Sequence, residues 1–370
     1  MAKDVIVVKN LEVWFPVRRG FIESLVSDEQ KFVKAVDGIS FNIKEREIFC
    51  LVGESGCGKT TTGKAILRLV EPTGGEVQYF GEGKEDTLKD MVSDAVDKGK
   101  MTKDDAKTMM EIGGIDIRRL NKKRMKRMRQ ELQIIFQDPY ESLNPKQSIY
   151  DIIAEPLVVN GIGASEAERE QMVIKALEDS GLRPPKDYMW RYPHEVSGGQ
   201  RQRVGVAGAL VLDPEFLVAD EPVSMLDVSI RSEILKLMLD LRDKKGLTFL
   251  FITHDLGVAY VFSDRIAIMY LGKIVELGPT EKVIRSPHHP YTKALISVVP
   301  TPDPKDREDK IILKGERPDP SNIPPGCRFH PRCPFVMDIC KEVEPTAVSM
   351  SEGHWVSCHL ESGTKKPQAE

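Results

Sequence analysis

The sequence predicts an α/β fold in which short apolar strands alternate with helices. Three apolar runs support this prediction, and each ends at a polar turn: 48–52, 215–220 and 248–253. Two helical stretches lie among them, 166–179, which Ser165 is placed to cap, and 229–243. Strands too short to be helices, separated by helix-length segments, are typical of a sheet covered by helices.

The other elements follow in chain order. Residues 5–15 and 32–52 are rich in β-forming residues, with a charged loop at 17–30 between them. A helix is predicted over 62–69. Residues 81–114 are polar and charged, which predicts an inserted pair of helices.

The segment 118–129 is strongly basic. We favour a solvated helix face for it over a ligand-binding patch. A short strand over 133–137 then ends at the turn 138–140, and a helix is predicted over 204–212.

Composition bounds the possible functions. The chain has 370 residues and a formal net charge of −4, so no global basic field points to nucleic acid. No apolar stretch approaches the roughly 20 residues that span a bilayer. The apolar segment near Met1 is too short for a secretory signal, so we expect a cytosolic or membrane-peripheral protein.

Six cysteines are distributed unevenly. After Val299 the chain becomes rich in proline, which marks a linker into a tail that holds four of them: Cys327, Cys333, Cys340 and Cys358. Clustering of this kind in a chain without a signal peptide favours a metal site over a disulfide framework.

A glycine-rich loop follows the apolar run 48–52 and has the pattern G-x-x-x-x-G-K-[ST]. Backbone N–H groups at such a strand-to-helix turn bind polyphosphate. Lys59 is predicted to reach the β- and γ-phosphates, and the Thr60 hydroxyl to bind Mg²⁺. Cys57 is interpreted as part of the loop and not as a nucleophile. We expect nucleotide contacts from Gly53, Glu54, Ser55, Gly56, Cys57, Gly58, Lys59, Thr60 and Thr61.

Three other strand ends carry polar side chains. Asp220 closes the run 215–220 and Glu221 follows it immediately, so Asp220 can organise Mg²⁺ and Glu221 can act as general base towards water. His254 directly follows the third run and can contact the γ-phosphate. Gln137 ends its own strand and could contact both Mg²⁺ and the attacking water.

A second anion-binding helix start is predicted at Ser197, Gly198, Gly199 and Gln200. One chain therefore holds two phosphate sites of different design. This makes sense if two subunits complete each other's nucleotide sites.

Together these motifs resemble the ATP-binding subunit of an ABC transporter over residues 5 to about 285. The resemblance implies a P-loop cassette with a mixed sheet and a helical subdomain. The matches are Walker A at 53–60, the Q-loop at Gln137, the signature at 197–200, Walker B at 216–221, the D-loop at 224–227 and the switch histidine at His254. Phe15 occupies the position of the family's adenine-stacking aromatic residue, with Trp14 as the alternative.

The resemblance implies a mechanism and partners. Two cassettes, here expected to be paralogous, close head-to-tail around two ATP molecules and move two transmembrane permease subunits. An extracytoplasmic substrate-binding protein delivers the cargo. The segment from Gln137 to Asn144 would contact the permeases at the cytoplasmic face of the membrane.

Three positions depart from the usual pattern. Val196 stands where leucine is commoner, Gly208 replaces a frequent arginine, and Met225 replaces the usual D-loop alanine. None of these changes removes a catalytic group.

The segment after the cassette resembles the oligopeptide/dipeptide subfamily, through His289-Pro290-Tyr291 and through Pro324-Pro325-Gly326-Cys327. In such tails four cysteines are associated with a [4Fe–4S] cluster. Zinc is the alternative, but the cluster is favoured because zinc knuckles usually use C-x₂-C pairs, which this tail lacks. Disulfides are favoured least. We expect a cassette over 1–285, with its helical insertion at about 81–114 and its signature subdomain at about 138–212, and an extension over 286–370.

The cargo is not specified by these residues. Oligopeptides are the default, and relatives also carry oligosaccharides or nickel. The alternative functions are an ABC ATPase that acts on ribosomes or nucleic acid, and a metal or redox regulator. The single cassette and the net charge of −4 disfavour the first, and the complete ATPase motif set disfavours the second.

Overall fold

A computed structural model describes residues 3–17, 30–81, 84–97, 113–299, 310–313 and 315–362. Its strands are β1 Asp4–Pro16, β2 Phe32–Lys44, β3 Ile48–Val52, β4 Gly74–Tyr79, β5 Ile115–Asp116, β6 Leu132–Ile135, β7 Phe216–Asp220, β8 Thr248–Thr253, β9 Arg265–Tyr270, β10 Lys273–Pro279, β11 Ala347–Ser351 and β12 His354–Ser357. None of the helices in the described ranges has both the length and the apolar character needed to cross a membrane.

The helices alternate with these strands along much of the chain. They are α1 Lys59–Ile66, α2 Lys84–Asp97, α3 Lys122–Glu131, α4 Pro139–Ser142, α5 Ile149–Asn160, α6 Glu166–Asp179, α7 Gly198–Leu210, α8 Val228–Lys245, α9 Leu256–Phe262, α10 Thr280–Arg285, α11 Pro290–Ser297 and α12 Asp338–Glu342. The predicted α/β alternation is therefore confirmed.

The chain forms two compact units, each built from several segments. Unit 1 comprises Met1–Val7, Asn42–Ile48 and Val77–Ile252. Unit 2 comprises Val8–Phe41, Phe49–Glu76 and Thr253–Glu370. Strands β2, β1, β4 and β5 form a four-stranded sheet in that order.

In unit 1, three strands run parallel in the order β8-β7-β6. Every residue of β7 and β8 is buried, which explains why each strand has four consecutive apolar residues and no alternation of apolar and polar ones. Because the strands are parallel, their carboxyl ends lie at one edge of the sheet. Polar residues that follow these strands therefore meet there.

Unit 1 also contains a helical layer with its own hydrophobic core. Helices α5, α6 and α7 and the residues that end α4 and α7 bury apolar side chains in one cluster: Leu143, Ile149, Ile153, Leu157, Val173, Leu177, Val204, Ala207 and Val211. Ser148 caps α5 with a capping box to Asp151, and Ser165 caps α6 as predicted. This layer fixes the start of α7, which carries the Ser197 motif.

Unit 2 contains a mixed sheet in the order β11-β12-β10-β9-β3. Strand β3 is parallel to β9, whereas β9, β10, β12 and β11 pair antiparallel. Strand β12 of the cysteine-bearing tail thus extends the sheet that contains β3. The tail is part of the fold of this unit.

Several element boundaries differ from the sequence prediction. The β-rich stretch 32–52 is two strands, separated by a tight turn in which Arg46 has a positive φ of 58°. Helix α1 begins at Lys59 and ends at Ile66, earlier than the predicted 62–69. The first helix predicted for the insertion at 81–114 is α2, and residues 98–112 of that insertion lie outside the described ranges.

The basic segment forms a short 3₁₀ turn, Ile117–Arg119, followed by α3. Arg124 and Arg127 on α3 pair with Asp94 and Asp90 on α2. Part of the positive charge therefore joins the two helices to each other.

Candidate functional site

The glycine-rich loop in unit 2 has a shape that only glycine permits at two positions. A Cβ on Gly53 would lie 2.2 Å from the carbonyl oxygen of Met269, and one on Gly58 would lie 2.1 Å from that of Ala35. Gly58 also has a φ of +110°, which side chains rarely adopt. Backbone approach from β9 and β2 thus fixes the path of the loop.

The loop's lysine is folded back onto the loop itself. Lys59 is buried, and its Nζ donates to the carbonyl oxygens of Gly53 at 2.7 Å and of Glu54 at 3.2 Å. Thr60 and Thr61 follow in the first turn of α1, at the positive end of the helix dipole. A hydroxyl, an ammonium group and N–H donors are the groups that bind a polyphosphate and its Mg²⁺.

The loop also contains a cysteine, Cys57. The side chain is buried, and burial raises the pKa of its thiol above the ordinary value of 9.0. The thiol therefore stays protonated at neutral pH, and only a thiolate would be reactive. This supports the interpretation of Cys57 as a structural part of the loop.

In unit 1, Asp220 and Glu221 lie at the edge where the parallel strands end. Asp220 is buried and pairs in register with Ile252 on β8. Glu221 has a φ of 44°, an uncommon conformation for a residue with a side chain. Its N–H donates to the carbonyl of Ile252 at 2.9 Å, and its carbonyl accepts from the Ser224 hydroxyl at 3.0 Å.

The structure brings Gln137 and Glu221 together. The Nε2 atom of Gln137 donates to Oε2 of Glu221 at 3.3 Å, although the residues are 84 positions apart. The contact follows from the parallel pairing of β6 with β7, since each residue lies just beyond its strand. The Gln137 amide oxygen and the Asp220 carboxylate are oxygen donors of the kind that Mg²⁺ prefers.

The signature segment caps α7 with a complete capping box. The N–H of Gln200 donates to the Ser197 hydroxyl at 3.3 Å, and the Ser197 N–H donates to the Gln200 side chain at 3.0 Å. Ser197 remains exposed at the start of the helix. Gly198 and Gly199 follow in the first turn, and a Cβ on Gly199 would lie 2.5 Å from the Ile230 side chain.

The departures from the family pattern have little effect in the structure. A Cβ at Gly208 would meet no atom within 4 Å. Met225 in the D-loop is exposed, and Val196 is buried beside α7.

Unit 2 holds the remaining sequence-predicted site residues. Trp14 is engaged internally, because its Nε1 donates to Asp37 at 3.0 Å and Lys34 lies over its ring at 4.3 Å. Phe15 is 41% exposed, which favours Phe15 over Trp14 as the residue that stacks on adenine. His254 is exposed directly after β8, next to Asp255, which caps α9.

The His-Pro-Tyr segment is buried around a carboxylate. Glu276 accepts hydrogen bonds from the backbone N–H groups of His288 and His289 and lies 2.9 Å from Nε2 of His354. Burial by itself raises the pKa of Glu276, but these hydrogen bonds outweigh it and hold the pKa below its usual value. Burial lowers the pKa of His289 to about 4. Its Nδ1 accepts from the N–H of Tyr291 and caps α11.

The four tail cysteines share one region of unit 2. Burial, and then the neighbouring thiols, raise the pKa values of Cys327, Cys333 and Cys358 to about 11. All six cysteines lie in the described ranges and are free thiols, so the structure contains no disulfide between them. However, no group of three or more His, Cys, Asp or Glu side chains among the described residues could hold a metal ion. The arrangement does not itself support the expected cluster at Cys327, Cys333, Cys340 and Cys358.

Sequence reasoning missed two contacts with the glycine-rich loop. Arg332 binds the Glu54 carboxylate, and the Tyr291 hydroxyl accepts from the Glu54 N–H. The partners are 278 and 237 residues apart, and no local pattern signals such contacts.

A glycine-rich phosphate loop, a Gln–Glu pair beside a buried aspartate and a second, serine-capped helix start define a P-loop ATPase of the ABC class. The sequence matches the family described as "ABC transporter" over residues 36–224. It also matches "Oligopeptide/dipeptide transporter, C-terminal region" over residues 275–340. The chain belongs to the ABC transporter family, as an ATP-binding subunit.

Two curated relatives from Bacillus subtilis (strain 168) are similar over most of their length. The putative oligopeptide transport ATP-binding protein YkfD is 44% identical over 90% of this chain and 91% of its own. The oligopeptide transport ATP-binding protein AppF is 40% identical over 97% of this chain and 98% of its own.

One solved structure of similar fold is the dimeric, post-hydrolysis state of the ATP-binding cassette MJ0796 bound to ADP and Pi. Its TM-score is 0.56 at 26% identity, covering 74% of this chain and 98% of that one. The predicted ABC fold is confirmed.

Proposed function

We propose that the chain hydrolyses ATP to power the import of oligopeptides or dipeptides. The observation that carries the proposal is the joint presence of a cassette at 36–224 and the oligopeptide/dipeptide C-terminal region at 275–340. The relatives YkfD and AppF are both named for oligopeptide transport. Oligosaccharides are the alternative cargo, and no observation favours them over peptides.

The chemistry proposed for the site is hydrolysis of the γ-phosphate by water. Glu221 takes a proton from the attacking water, and Gln137 orients that carboxylate through their 3.3 Å contact. Lys59 and the N–H groups at the start of α1 bind the phosphates. Thr60, Asp220 and Gln137 would hold Mg²⁺, which neutralises phosphate charge. His254 would contact the γ-phosphate, and Phe15 would stack on adenine.

The signature segment is proposed to complete the nucleotide site of a partner cassette. Support comes from the exposed Ser197 at the start of α7, where the helix dipole favours an anion. The partner is a second ATP-binding subunit, and we propose a paralogue. The other partners are two permease subunits and an extracytoplasmic binding protein, with the chain bound at the cytoplasmic face of the membrane.

The domain division proposed from the family runs at residue 285. The cassette would comprise 1–285, with the insertion at about 81–114 and the signature subdomain at about 138–212, and the extension would comprise 286–370. The helical layer of α5, α6 and α7 supports the signature subdomain as a structural layer.

We further propose that the tail cysteines hold a [4Fe–4S] cluster, with zinc as the alternative. Support comes from the mutual influence of the thiols on one another's pKa values. Thiolates are the ligands that such clusters require.

The cluster is tested by purifying the protein without oxygen and measuring its visible absorbance and its iron and zinc content. We expect iron and a brown colour that Cys327→Ser removes and that Cys50→Ala, in the core strand β3, retains. A colourless preparation that contains zinc would overturn the cluster in favour of the alternative.

The transport function is tested by reconstituting the chain with its permeases and binding protein in vesicles. Oligopeptides should stimulate ATP hydrolysis and accumulate in an ATP-dependent way, whereas oligosaccharides should do neither. Sedimentation of the chain with ribosomes, without stable association with permeases, would contradict the proposal.

A further inference from the structure

Side chains from the C-terminal part of unit 2 form hydrogen bonds with the glycine-rich loop. The Arg332 guanidinium binds the Glu54 carboxylate through two hydrogen bonds, Nη1 to Oε2 at 2.8 Å and Nη2 to Oε1 at 3.1 Å. The Arg332 side chain is only 10% exposed. A bidentate, largely buried ion pair of this kind fixes the orientation of the carboxylate plane in addition to neutralising its charge.

A second contact fixes the backbone of the same residue. The Glu54 N–H donates to the hydroxyl of Tyr291 at 3.0 Å. The Tyr291 ring is fully buried and packs against Tyr270 and Phe329, with ring centroids 4.8 and 5.4 Å away. Because the ring is held on these sides, its hydroxyl is a fixed acceptor. The peptide between Gly53 and Glu54 is therefore fixed as well.

A third contact reaches the next two positions of the loop. The Arg317 guanidinium donates to the carbonyl oxygen of Ser55. It also lies where a side chain on Gly56 would be, 2.7 Å from an added Cβ. The positions from Glu54 to Gly56 are thus contacted by residues more than 230 positions further along the chain.

These contacts bear directly on the lysine that is expected to bind phosphate. Lys59 Nζ donates to the carbonyl oxygens of Gly53 and Glu54. The Gly53 carbonyl belongs to the peptide whose N–H donates to Tyr291, and the Glu54 carbonyl belongs to the residue whose side chain Arg332 binds. A shift of Glu54 would move these carbonyl groups and, with them, the ammonium group of Lys59. The position of Lys59 is therefore coupled to the tail.

We propose that Arg332 and Tyr291 are positioning residues for nucleotide binding, which hold the glycine-rich loop in its phosphate-binding conformation from outside the ATPase motifs. The proposal rests on the proposed function, because it assigns these residues a role in the same nucleotide site. It predicts that nucleotide affinity depends on the tail, although no tail residue needs to touch the nucleotide.

The test compares Arg332→Ala, Arg332→Lys and Tyr291→Phe with the unaltered chain. The measured quantities are the Kd values for MgATP and MgADP and, separately, kcat and KM. Loss of a charged hydrogen-bond pair should raise both Kd values and KM roughly tenfold. Saturating ATP should restore kcat to within about threefold, because the catalytic groups at Glu221 and Gln137 are unchanged. Arg332→Lys should rescue only part of the nucleotide affinity, because a lysine side chain cannot form the bidentate contact.

The matched control is Lys341→Ala, which removes an exposed tail ion pair with Asp338 away from the loop and should leave both Kd values unchanged. Should Arg332→Ala fail to fold, Tyr291→Phe and Glu54→Gln remain as tests. The first removes a hydrogen bond, the second removes the charge and one acceptor oxygen of the pair, and neither opens a cavity. Unchanged Kd values in these variants, or a fall in kcat with KM unchanged, would overturn the proposal.

A double-mutant cycle tests whether Glu54 and Arg332 affect nucleotide affinity through their shared contact or independently of each other. Glu54→Gln combined with Arg332→Ala should raise the Kd no more than either single change. Additive losses would contradict the proposed pair. If the unaltered chain itself bound no nucleotide, that result would contradict the proposed function. The positioning role of Arg332 and Tyr291 is contradicted only by the variant results above.

Discussion

At the scale of single residues, Glu221 combines an uncommon backbone with a fixed side chain. Its φ of 44° is stabilised by hydrogen bonds to Ile252 and Ser224, and its carboxylate accepts from Gln137. Uncommon backbone conformations cost free energy, and they persist where the surroundings fix them. Here two backbone hydrogen bonds hold Glu221 in that conformation directly after β7.

Replacement of Glu221 by glutamine should abolish hydrolysis while ATP binding persists. The amide keeps the size of the side chain but cannot accept the proton of water, so kcat should fall by about 10²- to 10⁴-fold. Steady-state phosphate release and nucleotide binding measure the two effects. Glu233→Gln, whose carboxylate pairs with Arg203 on the helical layer, is the control and should hydrolyse ATP normally. Normal turnover in Glu221→Gln would contradict the assignment of the base.

His289 should make the stability of the fold depend on pH. Burial, opposed by nearby Glu276 and assisted by Lys293, lowers its pKa from 6.5 to about 4. Between these values the unfolded chain binds a proton that the folded chain does not, so stability is complete above pH 6.5 and falls as the pH drops to 4. The loss attributable to His289 is up to about 3 kcal/mol.

The pH dependence of the thermal unfolding midpoint measures this effect. In His289→Asn, which can still cap α11 but does not titrate, the slope between pH 6.5 and 4 should be smaller. An identical slope in the two proteins would exclude His289 as its source.

The residues of the candidate site were predictable to different degrees. Gly53–Thr61, Asp220 and Glu221 follow strands that the sequence marks by their apolar runs, so their chemistry could be inferred locally. The proximity of Gln137 to Glu221 follows from parallel pairing, once the strands are known. The contact of Arg332 with Glu54 could not be inferred, because it depends on the path of a tail with no pattern that specifies it.

At the scale of elements, two glycines in unit 1 show how the backbone decides the effect of a side chain. Gly208 lies within α7, and Gly161 ends α5 with a φ of +68°. An added Cβ would meet no atom within 4 Å at either position. Only the backbone conformation differs between the two sites.

Alanine should therefore have opposite effects at these positions. Gly208→Ala should raise the free energy of unfolding by about 0.5–1 kcal/mol, because alanine favours the helix. Gly161→Ala should lower it by about 1 kcal/mol, because the left-handed conformation disfavours a side chain. Chemical denaturation of the two variants measures both. Effects of the same sign would show that space, and not backbone, controls these sites.

Element types were predicted better than element ends. The sequence of 32–52 is β-forming throughout, yet the turn at Arg46 divides it into β2 and β3. The start of α1 at Lys59 is set by the glycine-rich loop and by Gly58 in a left-handed conformation, not by helix propensity. Such boundaries depend on tertiary contacts, which a local pattern does not contain.

At the scale of the whole molecule, the tail belongs to the folded core of unit 2. Strand β12 pairs with β10, and Val356 and His354 are buried there. Phe329 and Tyr291 are likewise buried against Tyr270 of β9. The sequence predicted the tail as a separate extension, because its proline-rich approach resembles a linker.

A chain that ends at residue 285 should consequently be less stable than the full chain. Removal of β12 exposes the edge of β10 and leaves Glu276 without His354, which costs both apolar burial and a buried hydrogen bond. Its thermal midpoint should fall, and exposed strand edges should promote aggregation. The control is the full chain with the substitution Trp355→Thr, because the Trp355 side chain lies half-exposed on the same strand, β12. A shortened chain with an unchanged midpoint would show that the tail is an independent addition.

The capping box at Ser197 has a consequence for a single proton. A serine hydroxyl has two lone pairs and one hydrogen, and the N–H of Gln200 already occupies a lone pair on the inner side. The hydrogen is not used by the cap, and Ser197 is exposed at the end of α7. The cap that stabilises the helix thus leaves an O–H donor available to a phosphate oxygen that approaches from outside.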